Sequence, residues 1–293
     1  MVAPQMDLLD ELQSKVICGD GAMGTMLLNS GASLAVCLEE IAVSDPDRIS
    51  KIHDQYIDAG ARVIRTNTFG ANAVRLERFG FDDRVAEFNM AAADLALNAA
   101  EGKNVYVAGS VGPLGITAAE ATARGIDRTG CFREQIQALR ERGVQLIFLE
   151  TFVDFEEMAN ALRSAKEAEC LTNCMLVVAP NGRLTCETPL EDAFANLGEL
   201  GADMVGLNCM SGPCEIFRLL EPIQTSDQLV AAYPSAGIPK GVDGQFVYPR
   251  RPDRFANVAC ELILAGARLI GGCCGTTPAH ISAMSGAIGI GRS

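Results

Sequence analysis

A glycine followed by a short apolar run occurs four times along the chain, and a stretch with helical periodicity precedes each occurrence. The four segments are 59–68 (AGARVIRTNT), 142–151 (RGVQLIFLET), 200–209 (LGADMVGLNC) and 265–274 (AGARLIGGCC). Before the first segment, residues recur at the three- and four-residue spacing of an amphipathic helix: Ile49, Ile52, His53, Tyr56 and Ile57. We interpret each glycine as a helix end and each apolar run as a buried parallel strand.

Four weaker apolar runs fill the gaps between these segments, at 15–20, 104–110, 174–180 and 228–234. The total of eight strands alternating with helices is the number found in a (β/α)₈ TIM barrel. No change in composition marks a second domain, so residues 1–293 are predicted to form one barrel domain. The competing fold is a doubly wound open sheet, which usually has fewer strands.

The glycines of GDGAMG, at positions 19, 21 and 24, match the bare pattern of a dinucleotide-binding loop. That fold also needs an acidic residue at the end of the second strand. Here the second strand, VIRTNTF, ends in Thr and Asn instead. The pattern therefore favours the barrel over a nucleotide-binding sheet.

The composition of the chain limits which kinds of molecule it can bind and where in the cell it is expected. The formal charge of −13 and the sequence pI of about 4.7 argue against a nucleic-acid partner, which needs clustered Lys and Arg. No apolar run is long enough to cross a membrane, and the polar, acidic N-terminus does not resemble a signal peptide. Most of the eleven cysteines lie in apolar segments, as buried free thiols do, so we expect a reducing, cytoplasmic location.

The functional residues of a TIM barrel lie at the carboxyl ends of its strands. Reading only those positions yields two acids and three thiols on one rim, together with polar turns: Asp20, 66–68, 109–113, Glu150, Cys209, Ser235, Cys273 and Cys274. Because the tips of strands six and eight are close across the barrel mouth, the three thiols are predicted to converge.

Three thiolates suit zinc, which prefers tetrahedral coordination by sulfur and nitrogen. A fourth ligand is not apparent, since His53 lies within a predicted helix and His280 at the start of another. Three protein ligands with one open position are typical of catalytic zinc.

Other interpretations of the same residues stay open. The adjacent cysteines could be small residues in a tight turn or a disulfide, and Cys209 could be a buried core thiol. An iron–sulfur cluster would need a fourth thiolate, of which Cys214 is the nearest. Asp20 and Glu150 could cap the helices that follow them.

Six segments, in this order, carry a family resemblance across nearly the whole chain: GDGAMGTML, TNTFGAN, GSVGPLG, FLETF, GLNC and GGCCGTTPAH. The chain resembles the homocysteine S-methyltransferase family, most closely the homocysteine-binding barrel of cobalamin-dependent methionine synthases. The resemblance implies a zinc site formed by Cys209, Cys273 and Cys274. It also implies that Asp20, the backbone at Gly21, and Glu150 hold the amino-acid part of homocysteine.

The implied reaction moves a methyl group to the thiol of homocysteine and yields methionine. A free thiol has a pKa near ~8.5, so zinc coordination would supply the thiolate at neutral pH. The alternatives are methyl transfer to another thiol or selenol, and a non-catalytic thiol- or metal-binding module.

Two turns depart from the family pattern, and the methyl donor is not identified. Ser235 in YPSAG replaces an expected Asn, and RLTCETP places Cys186 and Glu187 where a Gly-Ser/Thr turn is expected. With no cobalt-ligating Asp-x-His-x-x-Gly motif before the chain ends, the expected donor is methylcobalamin on a separate corrinoid protein or a small molecule such as S-methylmethionine or betaine. The basic and aromatic stretch 242–256 is predicted to be a solvated loop before the seventh helix.

Overall fold

The computed structural model describes residues 6–33, 35–210, 212–223, 228–242, 245–249 and 251–290. Ten strands are assigned in these ranges: β1 Ile17–Cys18, β2 Val63–Arg65, β3 Tyr106–Val111, β4 Leu146–Phe152, β5 Leu171–Leu176, β6 Met204–Cys209, β7 Leu229–Pro234, β8 Lys240–Val242, β9 Gln245–Val247 and β10 Ala267–Ile270. Strands β8 and β9 form a separate antiparallel pair, and the other eight form one parallel sheet.

The parallel sheet closes on itself. Its order is β1-β10-β7-β6-β5-β4-β3-β2. Strands β1 and β2, at the two ends of that order, are joined by a parallel bridge between Gly19 and Val63. The amide of Asp20 also donates to the carbonyl of Val63 over 2.8 Å. This closure confirms the predicted (β/α)₈ barrel and excludes the doubly wound sheet, which has two free edges.

The helices of the described residues surround the barrel. They are α1 Met6–Ser14, α2 Met23–Asn29, α3 Ile41–Ser44, α4 Pro46–Asp58, α5 Ala73–Leu76, α6 Val85–Ala100, α7 Ala118–Arg124, α8 Arg128–Glu141, α9 Phe155–Glu167, α10 Leu190–Glu199, α11 Pro213–Leu220, α12 Pro252–Leu264 and α13 Pro278–Ile290. Within those parts of the chain, none is long and apolar enough to span a membrane.

The four glycines of the sequence repeat end helices as predicted. Each follows a helix by two residues and has a positive φ between 91° and 100°: Gly60, Gly143, Gly201 and Gly266. A residue in the left-handed conformation at this position ends a helix. Glycine is favoured there because it alone enters that conformation without a steric cost. The chain then turns directly into β2, β4, β6 and β10.

The apolar core has two layers. The outer layer joins the helices to the outward faces of the strands, and the inner layer fills the barrel. Helix α1 belongs to the inner layer, because Leu8 and Leu12 are fully buried in the same cluster as Phe148 and Tyr233. Glu11 of α1 also contacts Arg62, which directly precedes β2. Helix α1 therefore covers the amino end of the barrel and leaves the carboxyl end for the site.

Two sequence predictions are corrected here. Strand β5 begins at Leu171 rather than at residue 174, because the buried Thr172 has a polar partner: its amide and hydroxyl both donate to Asp203, over 2.8 and 2.9 Å. The stretch 242–256 is not only a loop, since it includes β9 and the start of α12. Positions 243, 244 and 250 of that stretch lie outside the described residues.

Candidate metal and acceptor site

The three cysteines predicted as metal ligands lie together at the carboxyl end of the barrel. Cys209 ends β6, while Cys273 and Cys274 follow β10 after two glycines. The sulfurs of Cys209 and Cys273 are in direct contact as a disulfide pair. The sulfur of Cys274 is 3.7 Å from that of Cys209 and 4.0 Å from that of Cys273. All three sulfur atoms lie within 4.8 Å of one another.

The end of β7 holds the two cysteine-bearing turns side by side. The amide of Ser235 donates to the carbonyl of Cys209 over 3.1 Å, and the amide of Cys273 donates to that of Pro234 over 2.9 Å. Cys209 and Met210 both have a φ of +58°, which is uncommon for residues with a side chain. These bonds to β7 hold Cys209 in that conformation beside Cys273.

The sulfur positions fit a tetrahedral metal site. Bonds of about 2.3 Å to a tetrahedral zinc ion separate the ligating sulfurs by about 3.8 Å. The two separations involving Cys274 agree with this value, whereas the Cys209–Cys273 pair must be reduced before both sulfurs can bind a metal. Burial raises the pKa of the Cys274 thiol, so this sulfur needs a nearby cation to ionise at neutral pH.

Polar side chains contact the sulfurs from outside the cluster. The amide nitrogen of Asn208 is 3.9 Å from the sulfur of Cys273 and donates to the hydroxyl of Thr151 over 2.7 Å. The side chains of Ser235 and Tyr248 interact with the thiol of Cys274. Contacts of this kind orient metal ligands. Asn208 and Tyr248 were not among the residues predicted from the sequence, although Asn208 directly precedes Cys209 in the GLNC segment.

The two predicted substrate-binding acids are buried and lie on the same rim. Asp20 follows β1 and is 2% exposed, while Glu150 lies in β4 and is 4% exposed. Neither acid caps a helix: Ala22 precedes α2, and Asp154 caps α9 by accepting from the amide of Glu157. Gly21 lies between Asp20 and α2.

Arg65 at the end of β2 binds both acids. Its Nε donates to Oδ1 of Asp20 over 2.8 Å, and its Nη1 donates to Oε2 of Glu150 over 2.7 Å. The backbone amide of Arg65 donates to the second oxygen of Asp20 over 2.8 Å, and the Ser110 hydroxyl donates to the second oxygen of Glu150 over 2.5 Å. Each carboxylate oxygen therefore accepts a hydrogen bond already.

Arg65 also connects the acids to the turn that carries the cysteines. Its Nη2 donates to the carbonyls of Gly21 and Gly272 over 2.9 and 2.8 Å, and its guanidinium lies 4.7 Å from the ring centre of Tyr233. Burial raises the pKa of Asp20 to about 6, and the positive charge of Arg65 opposes that rise. Arg65 was not among the residues predicted from the sequence, although a charged residue at the end of the apolar run Val-Ile was a usable signal.

A closed parallel barrel whose carboxyl rim brings together three thiols and two buried acids defines a class of TIM-barrel protein equipped to bind a soft metal and a small polar ligand. The sequence model of the family described as "Homocysteine S-methyltransferase" matches residues 17–288. The chain belongs to the homocysteine S-methyltransferase family.

Two curated relatives are methionine synthases. The protein from Mycobacterium tuberculosis is 31% identical over 306 aligned positions, and the protein from Mycobacterium leprae is 30% identical over 306. In both cases the alignment covers 96% of this chain and 25% of the relative. The chain thus spans about a quarter of the length of these relatives.

Solved structures of the homocysteine methyltransferase MmuM from Escherichia coli are also similar. The metallated form has a TM-score of 0.76 and 26% identity, covering 96% of this chain and 98% of that protein. The oxidized form has a TM-score of 0.77 and 25% identity, covering 94% and 97%. The similarity extends over nearly the whole of both chains.

Proposed function

We propose that this chain transfers a methyl group to the thiol of homocysteine and produces methionine, with a zinc ion held by Cys209, Cys273 and Cys274. The observation that carries the proposal is the convergence of three cysteine sulfurs, within 4.8 Å of one another, on the active rim of a barrel of this family. We also propose that residues 1–293 act as one barrel domain.

When bound, zinc lowers the pKa of a coordinated thiol and keeps it as a thiolate at neutral pH. The chain's own residues hold the cysteine sulfurs and the acceptor thiol in position. The contacts of Asn208 with Cys273 and of Ser235 with Cys274 orient the cysteine sulfurs, and the barrel rim presents the homocysteine sulfur to the donor. The sulfur–methyl bond forms as the donor's bond to that carbon breaks; the donor keeps the bonding electrons, and the thiol proton leaves to solvent.

We assign the amino-acid part of homocysteine to Asp20, the backbone at Gly21, and Glu150. The two carboxylates can accept further hydrogen bonds, since each oxygen has two lone pairs and one bond in place. Any ammonium bound here shares the carboxylates with Arg65. The methyl donor is proposed to be methylcobalamin on a separate corrinoid protein or a small molecule such as S-methylmethionine or betaine.

A donor panel tests the proposal. The reduced, zinc-loaded protein is incubated with homocysteine and each donor, and methionine is measured. We expect methionine with at least one donor and about one zinc per chain. Cys273→Ala should lose both the zinc and the product. Cys260→Ala, at an exposed cysteine on α12, should keep both.

Two results would contradict the proposal. If no donor yields methionine, the chain is not a homocysteine methyltransferase by itself, and a thiol- or metal-binding role gains support. If Cys273→Ala keeps its full zinc content, the three-cysteine site is wrong.

A further inference from the structure

We propose that Arg65 is a specificity-determining residue that removes the need for an α-ammonium group on the acceptor, so that the site also accepts thiols without an amino group. This inference rests on the proposed function, because it concerns the same acceptor site. It starts from the place of Arg65 directly between the two carboxylates that would otherwise attract an ammonium.

One positive charge lies between two negative charges at this site. Asp20 and Glu150 together supply two negative charges, and one guanidinium lies 2.8 and 2.7 Å from their oxygens. An ammonium that enters this pocket meets acids already paired with a cation of the same sign. Its attraction to either carboxylate is therefore opposed by repulsion from Arg65 at similar range. Two free carboxylates would have no such opposing charge.

Arg65 is held rigidly in this position. Its side-chain nitrogens donate to four acceptors, two carboxylates and two backbone carbonyls, while Tyr233 lies against its guanidinium. The side chain is 9% exposed. Moving it aside would leave a buried charge and two carbonyls without partners, which is costly. Arg65 therefore keeps its position when an acceptor binds.

The guanidinium of Arg65 lies close to the turn that carries Cys273. Gly272, whose carbonyl accepts from Arg65, directly precedes Cys273. The guanidinium is thus on the side of the rim that faces the cysteines, where the polar end of a short thiol would lie. The acceptor class that fits is a short thiol acid, in which the sulfur and the chain length matter and the amino group contributes little.

The test compares homocysteine with 4-mercaptobutanoate, which differs only by replacement of the ammonium with hydrogen. Dissociation constants are measured by calorimetry on the reduced, zinc-loaded protein without donor, and kcat/KM is measured with whichever donor yields methionine in the donor panel. For the unmodified protein we expect the dissociation constants and kcat/KM values of the two thiols to differ by less than about tenfold. This is the range of an ion pair that contributes little to binding.

Substitution of Arg65 should restore selection for the ammonium. In Arg65→Met the two acids are free, and homocysteine should be preferred by about thirtyfold or more, as for a buried charge pair. Arg65→Lys keeps the positive charge and should keep the preference weak. A residue that only supported the fold would change both affinities together and leave their ratio unaltered.

Two outcomes would overturn the role of Arg65, and a third would overturn the proposed function. A preference of the unmodified protein for homocysteine above about a hundredfold overturns the role of Arg65, even if Arg65→Met fails to fold. Equal ratios in Arg65→Met and the unmodified protein overturn it as well. If neither thiol is bound or methylated, the proposed function fails instead.

Discussion

His53 shows how burial sets the charge of a single residue. It lies on α4, is fully buried, and neither ring nitrogen has a hydrogen-bond partner. Burial lowers the pKa of this histidine to about 4, so its ring is neutral in the folded protein at neutral pH. The ring therefore acts as an apolar side chain of the helix, in agreement with its place in the periodic pattern.

Acid should destabilise the protein through this residue. In the unfolded chain His53 takes up a proton near pH 6.5, whereas in the folded protein it does so only near pH 4. The unfolded state therefore binds more protons between these values. The free energy of unfolding falls as the pH is lowered from 6.5 toward 4. Between pH 7.5 and 5, the unfolding free energy of the unmodified protein should fall by about 2 kcal/mol more than that of His53→Leu. Urea unfolding at both pH values measures the difference.

Comparing the two proteins removes other titrations, including that of Asp20. The pKa of Asp20 is raised by burial, so its contribution has the opposite slope and is the same in both proteins. Equal losses in the unmodified protein and His53→Leu would show that His53 titrates normally.

At the scale of elements, the pairing of β6 with β7 positions the cysteine end of the site. Strand β6 ends at Cys209, and Cys209 pairs in register with Pro234 of β7, one residue before Ser235. Gly206 lies inside β6, and a Cβ at this position would be 2.1 Å from the carbonyl oxygen of Ala231 on β7. Only glycine lets the two backbones approach so closely.

Gly206→Ala should separate these strands. We expect a loss of about 1–3 kcal/mol in unfolding free energy, the usual cost of overpacking, together with weaker zinc binding because the end of β6 moves. The matched control is Gly24→Ala in α2, where the nearest atom to a Cβ is 3.7 Å away. The control should be neutral or slightly stabilising. Normal stability and zinc affinity in Gly206→Ala would contradict the role of this pairing.

At the scale of the whole molecule, α1 completes the barrel core from its amino end. Leu12 of α1 is fully buried with the inward-facing strand residues, whereas Leu264 on α12 is 86% exposed. Removing buried methyl groups at the closed end of the barrel leaves a cavity that the rigid ring of strands does not fill.

Leu12→Ala should cost about 2–5 kcal/mol, and Leu264→Ala less than about 0.5 kcal/mol. Because we propose that residues 1–293 act as one domain, unfolding followed by far-UV circular dichroism and by tyrosine fluorescence should show one coincident transition in each protein. Two separated transitions would show that α1 or another part of the chain unfolds independently.

Much of the fold could be predicted from sequence because its signals are local. The glycine after each helix and the apolar run that follows it depend on neighbouring residues. Four such repeats, together with four weaker apolar runs between them, indicated an eight-stranded barrel. Strand β5 was placed late because Thr172 and Asn173 look polar in isolation. Thr172 is buried with a partner, Asp203, that lies 31 positions away along the chain.

The sequence by itself indicated the acids and thiols that reach the carboxyl rim, because every strand of a parallel barrel ends on that side. Asp20, Glu150 and the three cysteines could therefore be named without coordinates. Only the tertiary structure decided what each acid pairs with. Arg65 is 45 positions from Asp20 and 85 from Glu150. The three meet because closure of the sheet brings β1 beside β2, and because the side chain of Arg65 reaches past β3 to Glu150 on β4. No local sequence pattern contains these long-range contacts.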